Sequence, residues 1–191
     1  RDDLEMLNRI TDLVLEITQE LVASSNRDRI EDTVCASLGE SDLYETAWIG
    51  EPQAGRREIQ VRSASWAMAR ERIEIGPGDP VGEAIQTAFD TGELQVLESV
   101  ADSELLAPVT RIPRGDGGAQ AGTAAVVPLS YRGTVYDVLV VTTDREFAYR
   151  DRERSGLWTL GQTVGFAINA ITNKKLLFAD TVVDLSFDVS G

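Results

Sequence analysis

The fold is decided by a hairpin pattern that has the sequence VVPLSYRGTVYDVLVV over residues 126–141. Two runs rich in valine and leucine flank a turn that contains Arg132 and Gly133. Runs of β-branched residues on either side of a glycine turn are typical of paired antiparallel strands. We therefore predict strands over 123–129 and 134–142.

Further strands and short helices are predicted before the hairpin. Residues 43–50 are rich in aromatic and β-branched residues, and residues 58–66 alternate between apolar and polar, as a half-buried antiparallel strand does. Gly76-Pro77-Gly78-Asp79-Pro80 interrupts the chain and offers Asp79 as the N-cap of a helix. The other predictions are strands over 72–75 and 95–97, helices over 80–90 and 102–111, and a flexible glycine-rich loop over 112–122.

Long helices are predicted towards both ends of the chain. Residues 3–24 repeat apolar side chains every three or four positions, a second helix follows over 27–39, and residues 151–178 show the same spacing. Residues 182–189 alternate again, which predicts the first strand of a following domain. This order of elements predicts an α+β fold with an antiparallel sheet covered by helices.

Charge excludes several classes of partner. The chain has 32 acidic against 18 basic residues, for a formal net charge of −14, and only Lys174 and Lys175 are lysines. Such a surface repels phosphate backbones and acidic membranes, so we expect no direct nucleic-acid binding by this segment and no membrane contact. Acid excess with scarce lysine is typical of cytoplasmic proteins of halophilic archaea, and an ordinary acidic bacterial protein is the alternative.

The residues that are missing restrict the chemistry. No histidine is present and Cys35 is the one cysteine, which excludes a Ser-His-Asp triad, a disulfide within the chain and a cysteine zinc cluster. None of the many carboxylates has a partner nucleophile or the spacing of metal ligands. The loop over 115–122 lacks the Gly-Lys-Ser/Thr ending of a phosphate-binding loop. We predict no catalytic residue and no metal site.

Three segments, in order, resemble GAF domains. The turn and helix start over 76–84, with the Thr91-Gly92 pair that follows, resemble the middle of the family. The hairpin over 126–141 resembles the family's "PL" strand, glycine turn and "VYGVL" strand, and 147–171 resembles its closing helix. The run over 176–189 is similar to the junction after the GAF domain in bacterio-opsin-activator-like regulators of halophilic archaea.

This resemblance implies an architecture and a role. The sheet should have five to six strands, with short helices on one face and the N- and C-terminal helices on the other. Residues 1–25 would be a signalling or dimerisation helix, 26–172 a GAF sensor domain, and 173–191 a linker and the first strand of a following domain. We expect a non-catalytic sensory input module of a signalling or transcription-regulating protein. The alternatives are a purely structural dimerisation module and an enzyme of the free methionine sulfoxide reductase type, which needs reactive cysteines.

The resemblance also suggests where a ligand would bind. Its identity and any cofactor stay unknown, since the signature of cyclic-nucleotide-binding GAF domains is absent and Cys35 lies too early for bilin attachment. Asp137 stands where the family usually has glycine, so its carboxylate needs solvent, a bulge or a partner. The expected pocket residues, for which core or dimer packing is the alternative, are Trp48, Trp66, Val81, Ile85, Val126 and Val138.

A homodimer through the terminal helices is the last expectation. Each long helix should use one apolar stripe on its own sheet and leave a second one for a partner copy. The competing interpretation is a monomer with both helices flat on the sheet. The residues expected in the dimer helices are Leu7, Val14, Leu21, Val164, Ile168 and Ile171.

Overall fold

The computed structural model describes residues 2–53, 55–65, 72–98, 122–145 and 148–190, and gives only the backbone for 2–4, 7 and 174–190. Four helices and six strands are present in these ranges. Their bounds are α1 Asp2–Val22, α2 Arg27–Glu40, β1 Thr46–Pro52, β2 Glu58–Ala64, β3 Arg72–Glu74, α3 Pro80–Thr91, β4 Gln95–Leu97, β5 Thr123–Tyr131, β6 Thr134–Thr143 and α4 Asp151–Ser190.

The strands form one antiparallel sheet in the order β3-β2-β1-β6-β5-β4. The hairpin predicted from the sequence is the β5–β6 pair, which extends from Thr123 opposite Thr143 to Tyr131 opposite Thr134, with one register shift after Leu129. Its turn residues Arg132 and Gly133 have φ angles of 49° and 81°. A type I′ hairpin turn requires positive φ angles at both of its central residues, which explains why a glycine stands at position 133.

Helices cover both faces of the sheet, which confirms the predicted α+β architecture. One face carries α2 and α4, with α1 packed on these two helices, and is called the helical face below. It has the larger buried cluster, and the opposite face packs against α3. Helix α2 lies on the same face of the sheet as the terminal helices, because its buried residues Ile30, Val34 and Leu38 belong to the helical-face cluster.

Helix α4 approaches the backbone of β5 very closely. A Cβ added to Gly161 would lie 2.5 Å from the carbonyl oxygen of Pro128 and 2.9 Å from Cγ1 of Val127. Gly165, one turn later, meets the backbone of Ser130 in the same way. Two glycines four residues apart therefore let this helix lie directly on the hairpin.

A buried polar network holds the start of α4. Glu153 accepts hydrogen bonds from the Tyr44 hydroxyl at 2.6 Å, from Arg145 Nη2 at 2.6 Å and from the Tyr149 backbone N–H at 2.8 Å. Tyr149 has a φ of 61° and donates its hydroxyl to the Val141 carbonyl at 3.0 Å. The network joins the end of β6 to the first turn of α4.

One element differs from its prediction, and two others cannot be compared. The strand expected over 182–189 is wrong, since α4 continues as helix to Ser190. No glycine or proline interrupts residues 166–190, and extending an existing helix adds one hydrogen bond for each residue that is fixed. The helix expected over 102–111 and almost all of the loop expected over 112–122 lie outside the described residues.

Candidate functional site

A candidate ligand site lies between α3 and the sheet. Its buried side chains, called the α3-face cluster here, are Trp48, Ile59, Val61, Ile75, Val81, Ala84, Ile85, Ala88, Ala124, Val126, Val138 and Val140. Five of the six pocket residues expected from the sequence belong to it, namely Trp48, Val81, Ile85, Val126 and Val138. The sixth, Trp66, lies outside the described residues.

Trp48 is the largest side chain of this cluster. The register of the sheet places it beside Val140 of β6, which in turn stands beside Val126 of β5. A Cβ on Gly50 would lie 2.8 Å from Cζ3 of Trp48 and 2.6 Å from Cγ2 of Ile59. Gly50 therefore leaves the space in which the indole ring packs, a role that the sequence pattern did not reveal.

The indole nitrogen of Trp48 is the unsatisfied polar atom of this cluster. Its Nε1–H is buried and has no hydrogen-bond acceptor among the described residues. An unpaired buried N–H costs about 1–3 kcal/mol, and the other side chains of the α3-face cluster are aliphatic. A molecule bound here with a hydrogen-bond acceptor could satisfy this group.

Helix α3 is fixed at both ends as the sequence predicts. The buried carboxylate of Asp79 accepts hydrogen bonds from the backbone N–H groups of Val81 at 3.0 Å and Gly82 at 3.1 Å. At the other end Gly92 has a φ of 71° and its N–H donates to the Ala88 carbonyl. A helix capped in this way presents Val81 and Ile85 to the sheet in a defined position.

The helical face has a groove of 710 Å³ between the end of α1, the α1–α2 connection and α4. Its walls are mainly apolar, and Phe166 on α4 is 53% exposed there while Val22 on α1 is 84% exposed. The groove is lined by Thr18, Leu21, Val22, Ala23, Ser24, Ser25, Ile30, Thr163, Phe166, Ala167, Ala170 and Ile171.

Most of the residues expected in the dimer helices pack inside the chain instead. Leu21, Val164 and Ile168 are buried in the helical-face cluster, and Val14 and Ile171 pack against it. The side chains of Leu21, Val164 and Ile168 are therefore largely covered by other residues of the same chain. Leu7 lies in α1, and its side chain is not described.

The outer face of α4 has an unusual composition. Residues 155–173 contain no charged residue, although 26% of the whole chain is charged. Trp158 and Phe166, two turns apart, are 39% and 53% exposed on this face. Tyr131, at the end of the hairpin, packs its ring edge against Phe166 at a centroid distance of 5.1 Å.

Cys35 is buried in α2. Burial raises the pKa of its thiol well above the usual value, and the nearby carboxylates of Glu31 and Asp32 raise it further. The reactive form of cysteine is the thiolate, so this thiol has the environment of an inert core residue.

Asp137, the residue at the usual glycine position, has a charged partner. It is fully buried, and its Oδ1 accepts a hydrogen bond of 2.9 Å from Arg27 Nη2 on α2. Glu31, also fully buried, accepts two hydrogen bonds from Arg62 Nε, at 2.8 and 2.7 Å. The Asp137 cluster, as we call it, consists of Arg27, Asp28, Glu31, Glu51, Arg62 and Asp137.

Two β-bulges accompany this cluster. The register between β1 and β2 shifts beside Arg62, and that between β5 and β6 shifts beside Tyr136. A bulge adds one residue to a strand and changes the direction of its side chains. Tyr136 donates to Asn169 on α4 at 2.5 Å, while the next residue, Asp137, contacts α2. Both helices are thus bonded to the same point of β6.

Two kinds of feature are absent from the part of the chain that the structure describes. No group of three or more histidine, cysteine, aspartate or glutamate side chains in these ranges is arranged to hold a metal ion. No helix within them combines the length and the low charge needed to cross a bilayer.

The comparisons with known proteins agree with this geometry. The sequence profile of the GAF domain family matches residues 24–169. The bacterioopsin transcriptional activator of Halobacterium salinarum is 29% identical over 186 residues, which cover 97% of this chain and 26% of that protein. A candidate transcriptional regulator of Haloferax volcanii is 31% identical over 189 residues, covering 97% of this chain and 30% of that protein. The chain thus spans between a quarter and a third of these relatives.

Solved structures share the fold at low sequence identity. The GAF domain of a phosphoenolpyruvate-protein phosphotransferase from Coxiella burnetii has a TM-score of 0.65 and 15% identity, covering 89% of this chain and 98% of that one. The free methionine-R-sulfoxide reductase of Neisseria meningitidis has the same score and identity, covering 86% and 91%. The family profile and the halophilic relatives together show that this chain belongs to the GAF domain family.

Proposed function

We propose that this GAF domain is a non-catalytic, cytoplasmic input module of a transcription-regulating protein, and that it binds a small molecule in the α3-face cluster. The observation that carries the proposal is the buried Nε1–H of Trp48, which lacks an acceptor among the described residues. The other side chains of the cluster are aliphatic, so a ligand bound among them would meet a mainly apolar surface with few polar groups, as in other ligand sites. The ligand would be largely apolar with one hydrogen-bond acceptor directed at Trp48.

The relatives and the buried thiol support a regulatory role over catalysis. The two halophilic relatives carry the names of transcription regulators. The reductase alternative needs a reactive cysteine, and Cys35 is buried with a raised pKa. Turnover of free methionine sulfoxide that disappears in Cys35→Ser would overturn the proposal.

A native mass spectrum tests ligand binding. The chain would be produced in a halophilic archaeon and purified under native conditions, so that a bound small molecule stays with it. We expect an additional mass that is lost in Trp48→Phe, which removes the N–H but keeps an aromatic ring. The matched control is Trp158→Phe on the outer face of α4, which should retain the additional mass. Two results together would contradict ligand binding: a spectrum that shows only the bare chain, and a melting temperature that a metabolite extract of the same cells does not raise. A structural dimerisation module would then be the remaining interpretation.

We further propose that two copies associate through the outer face of α4 and the neighbouring groove. Each copy has a net charge of −14, so two copies repel each other at most contacts. Residues 155–173 offer a surface free of charge, and the exposed Phe166 borders a groove of 710 Å³ that a partner's side chains can fill. A second copy therefore fits this face better than a charged partner does.

Light scattering in molar potassium chloride tests this interface. The unsubstituted chain should be a dimer at micromolar concentration, and Phe166→Glu should make it a monomer, because a carboxylate would be buried without a partner. Thr87→Glu adds the same charge on an exposed position of α3 and should leave the dimer intact. A monomeric unsubstituted chain, or a dimer that survives Phe166→Glu, would contradict this placement.

A further inference from the structure

The Asp137 cluster contains more acid than base in a buried place. Two arginines face four carboxyl groups, and the side chains of Glu31 and Asp137 are both fully buried. Asp137 lies on β6, Glu31 on α2, and the cluster also includes Arg27 and Asp28 on α2, Glu51 on β1 and Arg62 on β2. Leu129, the partner of Asp137 on β5, adds no charge.

The hydrogen bonds leave one carboxylate oxygen without a donor. Arg27 binds Oδ1 of Asp137, whereas Oδ2 is buried and accepts no hydrogen bond among the described residues. Arg62 Nε is 3.8 Å from Oδ2, beyond hydrogen-bond distance, and donates its short bonds to Glu31 instead. A buried carboxylate oxygen without a donor is costly when ionised, whereas a protonated one becomes a donor itself.

We propose that Asp137 is a neutral carboxylic acid that donates its proton to a carboxylate oxygen of Glu31, so that the packing of α2 against the sheet depends on one bound proton. Protonation converts two repelling carboxylates into a donor and an acceptor. It leaves Glu31 as the single charged acid of the pair, opposite Arg62. The inference does not depend on the proposed ligand, because Asp137 contacts α2 on the helical face, opposite the α3-face cluster.

The electrostatics of the cluster agree with this geometry. The pKa of Asp137 is raised to about 9, first by burial and then by the hydrogen bond to Glu31 and the charge of Glu31, while Arg27 opposes the rise. An acid of this kind keeps its proton at neutral pH.

The proposal has a consequence for regulation. Rising pH would remove the proton and place a second negative charge beside Glu31, which weakens the contact between α2 and the sheet. Tyr136, the preceding residue, bonds α4 through Asn169. Ionisation of Asp137 therefore acts at the point of β6 that holds both α2 and α4, and α4 leads towards the C-terminal end of this chain.

The direction of the pH effect follows from proton linkage. An unfolded aspartate has a pKa of 3.8, while that of folded Asp137 is raised to about 9. Between these values the folded chain holds one more proton than the unfolded chain, so stability falls as pH rises. One proton changes the unfolding equilibrium constant by about tenfold per pH unit.

Chemical unfolding of wild type and Asp137→Asn between pH 5 and pH 9 tests the proposal. The asparagine keeps the shape of the side chain and can donate to Glu31 without a titrating proton. As pH rises, the unfolding equilibrium constant of wild type should increase relative to that of the variant by up to about tenfold per pH unit. The control is Asp144→Asn, an exposed aspartate just after β6, which should follow wild type. Parallel curves for wild type and Asp137→Asn would overturn the proposal.

A second measurement uses wild type alone and decides the question even if Asp137→Asn does not fold. Carbon NMR of aspartate-labelled protein should show one carboxyl group that is still protonated at pH 7. Glu31→Gln, which removes the neighbouring negative charge, should move the titration of that carboxyl to lower pH. A wild-type spectrum in which every aspartate is ionised at pH 7 would contradict the proposal.

Discussion

Gly161→Ala probes the contact that positions α4 on the sheet. The added Cβ would lie 2.5 Å from the Pro128 carbonyl oxygen and 2.9 Å from Cγ1 of Val127. Because the nearest atom belongs to the backbone of β5, a change of rotamer cannot relieve the overlap, and α4 has to move away from the hairpin.

The expected loss is the difference between two opposing effects. Overpacking of a well-packed core typically costs about 1–3 kcal/mol, while replacing glycine by alanine within a helix contributes about 1 kcal/mol. We therefore expect a net destabilisation of up to about 2 kcal/mol, which for a chain of this length lowers Tm by up to about 8 °C.

Urea unfolding followed by far-ultraviolet circular dichroism measures this loss. The pair Ser155→Ala and Ser155→Gly, at an exposed position of the same helix, gives the glycine-to-alanine difference without any packing change. The difference in unfolding free energy between Ser155→Ala and Ser155→Gly is the reference value. If Gly161→Ala is more stable than wild type by that same amount, the close approach of α4 to β5 is refuted.

Three further predictions concern the whole chain, its thiol and the network at the start of α4. Because screening weakens repulsion among the excess acids, Tm should rise from low salt to molar potassium chloride, and a flat or falling Tm would contradict this. Cys35 should react with a thiol reagent only as fast as the chain unfolds, and rapid labelling of native protein would contradict its burial. Tyr44→Phe removes a hydrogen bond to the buried Glu153 and should cost about 1.5–3 kcal/mol in urea unfolding, whereas Tyr131→Phe, at a half-buried position, should cost much less.

The sequence was sufficient for the elements whose signals are local. Asp79, Gly92 and Gly133 fix their backbones by short-range chemistry, so the ends of α3 and the hairpin turn agree with prediction. The alternation of apolar and polar residues over 182–189 predicted a strand and was misleading, because helix α4 continues through this segment.

The arrangement of residues far apart in sequence could not be predicted from spacing. Helical periodicity showed that α1 and α4 have apolar stripes, but not that Leu21, Val164 and Ile168 would be buried inside one chain. The partners of Asp137 lie on α2, 110 positions away in the case of Arg27. A buried carboxylate requires a partner, and only the packing of α2 on the neighbouring strands β1 and β2 determines which residue supplies it.

The role of Trp48 also depends on tertiary structure. Its position on a strand was predicted, and the choice between core filler and ligand contact stayed open. The unpaired Nε1–H adds an argument for ligand contact that the residue type alone cannot give.

The central claim, that this chain is a regulatory input domain, is tested most directly by transcription from a promoter under a full-length regulator that contains it. Deletion of residues 26–172 should make the output independent of growth conditions at an unchanged level of the regulator. Trp48→Phe should have the same effect, because it removes the hydrogen bond proposed to hold the ligand. An output that still responds to growth conditions after the deletion would contradict the account.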